Sequence, residues 1–268
     1  MQSKKTKDTK RRRFRQVLYV IVLILAAYFC YSIFDFWSNN EQDKTRFVRY
    51  DEFGIDVPVG YIIHGIDVSR HQGTISWRAV RDMRVKDIRF DFAFMKATEG
   101  VTMVDPYFKR NWKYCKEMHI PCGAYHYYLA NRSGADQALN FMKTVKLQPG
   151  DLPPVVDIEK LRGTKPELMR AELKLFLNMI ETHYNIKPII YSYVDFYERY
   201  LGNDFDHYPL WIAHYLQKER PRIKRDWSFW QFNEGGRVNG ILSNTDFDVF
   251  NEDSTAFQEL LIQPTLKD

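Results

Sequence analysis

The sequence predicts an α/β barrel preceded by a single N-terminal transmembrane helix. Three observations carry that expectation. An uncharged apolar segment lies close to the N-terminus, eight short apolar runs are spread over the remaining chain, and amphipathic helical patterns fill the gaps between the early runs but fade between the later ones.

Residues 1–16 hold eight Lys and Arg against Asp8 alone, a local excess of seven positive charges in a chain whose total is +5. The remainder is therefore net acidic by two charges, which argues against nucleic acid as a partner of the folded part. Val17–Phe34 follows with no charged residue. At about 1.5 Å per residue such a segment spans about 27 Å, close to the hydrocarbon thickness of a bilayer. It ends in aromatic residues up to Trp37 rather than in a small-residue cleavage site, so it reads as an uncleaved anchor. Basic flanks stay in the cytoplasm, which places the following domain on the periplasmic or extracellular side. The expected divisions are a cytoplasmic tail at 1–16, a transmembrane anchor at 17–37, a polar linker at 38–50 and a barrel domain at 51–268.

Eight candidate strands follow in order: Ile62–Val68, Phe90–Lys96, Cys122–Leu129, Pro154–Ile158, Pro188–Tyr191, Leu210–Ala213, Ser228–Phe232 and Phe247–Phe250. Helices are expected near Ser76–Met83 and Tyr107–Met118, after a Ser133 cap, and from Thr164 to about His183. In the last of these, Thr164 and Glu167 have capping-box spacing and Leu168, Ala171, Leu175 and Met179 mark one face. Only a short helix near Tyr193–Tyr200 comes later. With 45% hydrophobic and 16% aromatic residues, the chain can bury one large core, and a monomeric catalytic domain is the expectation. The seven histidines show no ligand spacing, so neither a metal nor another cofactor is expected. Cys115 and Cys122 could pair or remain buried thiols; both readings stay open.

In a parallel barrel the working side chains sit at the C-terminal ends of strands, so acids there are informative. Asp67 interrupts the first run, Asp157 and Glu159 end the fourth, and Asp246 stands just before the last. Asp157 and Glu159 are two residues apart, which puts both on one face of a strand. Neighbouring carboxylates resist ionising together, and a protonated acid beside a charged one is what glycosidic cleavage uses. Tyr125, Tyr127, Tyr191, Trp211, Tyr215, Trp230 and Gln231 lie near the same strand ends and supply flat faces and an amide suited to a sugar. Lys96 and Glu99 read as a salt-bridged support for these acids.

With these residues in place the sequence resembles glycoside hydrolase family 25, lysozymes that cleave peptidoglycan after N-acetylmuramic acid. The resemblance runs from about His64 to Asn251 through ordered motifs: Gly65–Ser69, Phe94–Gly100, Gly123–His126, Pro154–Glu159, Leu210–Ala213, Trp230-Gln231 and Thr245–Phe250. It implies a TIM-like barrel with incomplete helices, (β/α)5(β)3. It also implies that Glu159 is the general acid, Asp157 its electrostatic partner, and Asp67 and Asp246 the remaining active-site acids. Asp248 stands where the family commonly has asparagine.

The expected activity is hydrolysis of the β-1,4 bond between N-acetylmuramic acid and N-acetylglucosamine in peptidoglycan glycan strands. Retention, with assistance from the substrate's acetamido group, is the expected course; Asp157 as nucleophile, or as base of an inverting reaction, are the alternatives. A non-catalytic peptidoglycan-binding protein and an endoglycosidase of chitin-like polymers are the competing functions.

Overall fold

The computed structural model describes residues 21–33, 47–215, 217 and 220–264. The chain divides into two units, residues 1–44 and 45–268, each taken by itself. In the first, residues 21–33 form a helix, α1. Thirteen residues span about 20 Å. Among the described residues no helix is long and apolar enough to cross a membrane. The rest of the expected span Val17–Phe34, the tail at 1–16 and residues 34–46 lie outside the described residues.

The second unit opens with an antiparallel hairpin, β1 (Phe47–Tyr50) and β2 (Ile55–Pro58), followed by β3 (His64–Val68), α2 (Trp77–Asp82), β4 (Phe90–Glu99), the two-residue β5 (Met103–Val104) and α3 (Phe108–Glu117). Then come β6 (Cys122–Tyr127), α4 (Gly134–Thr144), β7 (Val155–Asp157), α5 (Pro166–Tyr184), β8 (Ile189–Tyr193) and the single turn α6 (Val194–Phe196). The chain finishes with β9 (Leu210–Ala213), β10 (Phe229–Gly236), β11 (Thr245–Phe250) and α7 (Ser254–Leu260). Eight strands close on themselves in the order β3-β11-β10-β9-β8-β7-β6-β4, and β4 pairs back onto β3. All eight coincide with the runs read from the sequence, and five β/α units followed by three strands give the expected (β/α)5(β)3 barrel.

Alternation along each strand divides the core into two shells. Phe92, Phe94, Tyr125, Val155, Ile189, Tyr191, Trp211, Phe229 and Phe250 pack together inside the barrel, while Ile66, Ala93, Val156, Ile190, Ile212, Trp230 and Phe247 pack in the outer shell. The inner shell is crowded enough to require glycine opposite its largest rings. A Cβ added at Gly65 would lie 2.3 Å from the Phe92 ring, and one at Gly123 would lie 2.3 Å from the Phe94 ring. Phe257 of α7 reaches Phe92 and Phe250 and joins the inner shell. That helix was not anticipated, although Asp253 caps it by accepting hydrogen bonds from the Thr255 and Ala256 amides.

Loss of helices from the second half would leave the outward faces of β10 and β11 bare. The β1–β2 hairpin covers them. Phe47 packs edge-on to Trp230, Phe53 packs against Phe247 and Phe90, and the Arg237 amide donates to the Phe53 carbonyl at 2.8 Å. Residues 47–50 are therefore a strand of the folded unit and not the end of a linker, which corrects the expected boundary at 51. Half-buried Phe47 and Val48, exposed Arg49 and buried Tyr50 make a pattern too short and uneven to stand out beside a polar stretch. A second correction concerns α5. Its cap position is Lys165 with no side-chain cap bond, so Thr164 does not form the expected capping box and Pro166 begins the helix alone. Ser133 does cap α4, accepting from the Asp136 amide at 3.2 Å. Cys115 and Cys122 are both buried free thiols.

Because Phe53 is buried against three rings from the hairpin and the barrel, Phe53→Ala should cost about 3–5 kcal/mol in urea unfolding. Leu242→Ala, at a fully exposed side chain, should stay within about 0.5 kcal/mol of the parent.

Candidate active site

Seven barrel strands run in one direction and β11 runs against both its neighbours. The C-terminal ends of the seven and the N-terminal end of β11 therefore share one rim. Asp246, at the start of β11, pairs in register with Asp67, near the end of β3. An antiparallel strand thus delivers an acid to the rim from the opposite end to the one the parallel-barrel rule considers.

Asp67 is buried and accepts a 2.5 Å hydrogen bond from the Gln231 side-chain nitrogen. Gln231 Oε1 accepts from Tyr191 at 2.7 Å and from Tyr215 as well. Two phenolic donors on its oxygen fix the amide so that its nitrogen faces the acid. Burial pushes Asp67 well above the usual carboxylate range, Asp248 and Glu159 push it further, and the Gln231 hydrogen bond opposes them.

Asp157 ends β7 inside the barrel, in line with Val155, and Glu159 follows two residues on. Asp157 is buried and its Oδ1 has no hydrogen-bond partner; Glu159 is more open and accepts from the Tyr127 hydroxyl at 3.3 Å. Burial and Glu159 raise Asp157 well above its ordinary value, while Lys96 acts to lower it. Glu159 is raised by burial and held down by Lys160, Tyr127, Tyr193 and Lys96. Lys96 itself lies 2.7 Å from Glu99 and 4.5 Å from the centre of the Tyr127 ring. Asp246, partly exposed, is pushed up to about 9 by burial and by Asp67 and Glu234.

Four expected acids and Gln231 are thus brought to one rim, but the aromatic residues divide. Trp230 faces outward: it is fully buried between Phe47, Tyr61, Trp227 and Phe232, and its indole donates to the His214 carbonyl at 3.0 Å. The same period of two that turns Gln231 inward turns Trp230 away, so its expected sugar contact is withdrawn. Trp211 faces inward but is only 2% exposed, stacked on Phe94 and bonded to Asp248. It forms the floor rather than an open face, and the buried Tyr125 and Tyr191 belong with it. Tyr127 and Tyr215 are partly exposed beside the acids. Tyr193, in the run Tyr191-Ser192-Tyr193 that the sequence also offers as a sugar-contacting candidate, stands 37% exposed two residues beyond Tyr191, nearer the rim, and acts to lower Glu159. Among the described residues no group of three or more His, Cys, Asp or Glu could hold a metal ion.

Paired carboxylates above an aromatic floor at a barrel rim are the apparatus of a glycoside hydrolase. Residues 66–241 match glycosyl hydrolases family 25, and the chain belongs to that family. YegX, an uncharacterized protein of Escherichia coli, is 40% identical over 250 residues, covering 91% of this chain and 92% of the relative. An autolytic lysozyme of Clostridium acetobutylicum is 28% identical over 200 residues, which is 75% of this chain and 59% of that protein. Among solved structures, a family 25 glycosyl hydrolase from Bacillus anthracis superimposes with a TM-score of 0.70 at 29% identity, covering 80% of this chain and all of the other.

Raised carboxyl groups make folding pH-dependent with a definite sign. The folded state keeps a proton on Asp246 that the unfolded chain releases near pH 4, so stability is lost as pH rises toward about 9. Asp246→Asn should therefore gain stability relative to the parent across that window, read as a difference in urea midpoint that widens between pH 5 and pH 8. A constant difference would contradict the assignment.

Proposed function

We propose that this protein is a membrane-anchored muramidase that hydrolyses the β-1,4 bond following N-acetylmuramic acid in peptidoglycan, acting as a monomer. The observation that carries this reading is the buried, unpartnered Oδ1 of Asp157 on the strand that presents Glu159. A buried acceptor without a donor is costly, and a substrate N–H seated there would relieve it. An acetamido group on the sugar supplies such a donor. Held by Asp157, its carbonyl oxygen is aligned on the anomeric carbon.

Glu159 then gives its proton to the glycosidic oxygen as the bond to the anomeric carbon breaks and the acetamido oxygen closes on that carbon. Water, losing a proton to the Glu159 carboxylate, opens the cyclic intermediate with net retention. Asp67, fixed by Gln231, and Asp246, which keeps its proton at neutral pH, line the same rim and offer hydrogen-bonding groups to the sugar. Tyr127, Tyr193 and Tyr215 offer the accessible rings.

The localisation rests on the N-terminal unit. Eight basic residues precede the uncharged run, and the large apolar side chains of α1, among them Leu23, Ile24 and Phe29, are exposed. A lipid environment accounts for both, with the tail in the cytoplasm and the barrel on the far side.

Incubated with purified sacculi, the protein should release muropeptides with N-acetylmuramic acid at the reducing end, and Glu159→Gln should lower the rate by about 10²–10⁴-fold. Equal, background-level release by both would leave a binding protein, and a preference for chitin would overturn the substrate. Proton NMR should show the first-formed reducing end with retained configuration, and Asp157→Asn should lower kcat while the product keeps its anomeric form.

A further inference from the structure

The connection from β7 to α5 passes through Glu159 and so starts at the rim that carries the acids. Lys160, Arg162 and Lys165 follow, with no acid among them until Glu167. All three cations are exposed. Glu167 pairs with Arg170, and among the described residues none of the three cations forms a salt bridge. Two of them stand where local structure disfavours them. Arg162 and Gly163, with φ of 49° and 79°, form the centre of a turn closed by the Thr164 amide donating to the Leu161 carbonyl at 2.9 Å. Glycine or asparagine takes the left-handed region at less cost than arginine does. Lys165 is the N-cap of α5, where the helix dipole opposes a positive charge. The Arg162 guanidinium lies 5.9 Å from the centre of the Tyr127 ring, and the Tyr127 hydroxyl donates to Glu159 at 3.3 Å. One side chain thus ties the cationic loop to Glu159.

We propose that Lys160, Arg162 and Lys165 form a cationic lip that captures the carboxylates of the stem peptide on N-acetylmuramic acid, making stem-bearing glycan the preferred substrate. The inference rests on the muramidase reading and names what that site takes beyond the sugar. In peptidoglycan the peptide leaves the sugar through the lactyl arm on C3, next to the C2 that bears the acetamido group. With that acetamido group held at Asp157, the peptide starts beside the strand end from which the loop runs. Its free carboxylates outnumber its amines. Asp67, Asp157, Glu159 and Asp246 offer such a peptide no counter-charge, and the lip does. Chitin carries no such arm and would leave the three cations without a partner.

Glycan strands from one batch of sacculi, half keeping their stem peptides and half stripped by an amidase, test this with the full chain. The parent should show kcat/KM about tenfold higher on stem-bearing strands, mostly through KM, and added salt should shrink the preference. Lys160→Gln, Arg162→Gln and Lys165→Gln combined should bring the ratio to about one. Arg162→Gly removes one charge and the backbone strain together, so it should lower the ratio about twofold while its urea midpoint holds or rises. Equal rates of the parent on the two strands, or a ratio unmoved in both variants, overturn the lip. A loss shared equally by both strands also overturns it, since turnover rather than stem capture is then damaged. If the parent turns over neither strand, the muramidase reading fails and binding of end-labelled strands decides the lip. Weaker binding of stem-bearing strands by the triple variant supports it, and equal binding overturns it.

Discussion

The pairing of β11 between β10 and β3 is the constraint on which the rest depends. Without it the sheet has two open edges, the inner shell has no eighth wall, and Asp246 and Asp248 have no fixed relation to Asp67. Running this strand backward closes the barrel after a short connection from β10, with no helical crossover to return the chain to its starting end. The same reversal places two acids of one strand against one acid of its neighbour. The electrostatic character of the site is thus a by-product of how the barrel is shut.

From that closure follows an unusually crowded set of buried carboxyls, relieved by few cations. Lys96 serves Asp157 and Glu159 from one side, while Asp67 relies on a neutral amide locked by two tyrosines. The arrangement biases several acids toward holding protons near neutral pH, which suits a general acid. Asp157, more deeply buried than Glu159, is not simply the charged member of a charged-and-neutral pair; its unpartnered oxygen makes its state depend on what the substrate brings.

Much of this was legible in the sequence because strand period and strand ends are local properties. The eight apolar runs, the D-x-E spacing and the fading helices all survive as read. What escaped was non-local. Trp230 and Gln231 are adjacent, and nothing in the pair says which faces inward until the register with β9 and β11 is known. Trp211 and Tyr191 do face the interior, but their burial under Asp248 and Gln231 depends on partners about 40 residues distant. The direction of β11 was invisible too, since a six-residue run reads the same either way. The hairpin at 47–58 was hidden for a similar reason, because its purpose is to cover surface that exists only after the last strands are in place.

That hairpin ties the beginning of the domain to its end. Phe47 and Trp230 are separated by most of the domain's length, so during synthesis the first apolar strands to emerge must wait for the last ones. Until then the hairpin presents its sticky side to whatever is near, and the nascent domain is most prone to aggregate just before it is finished. Trimming either terminus of the barrel unit would leave that state permanent.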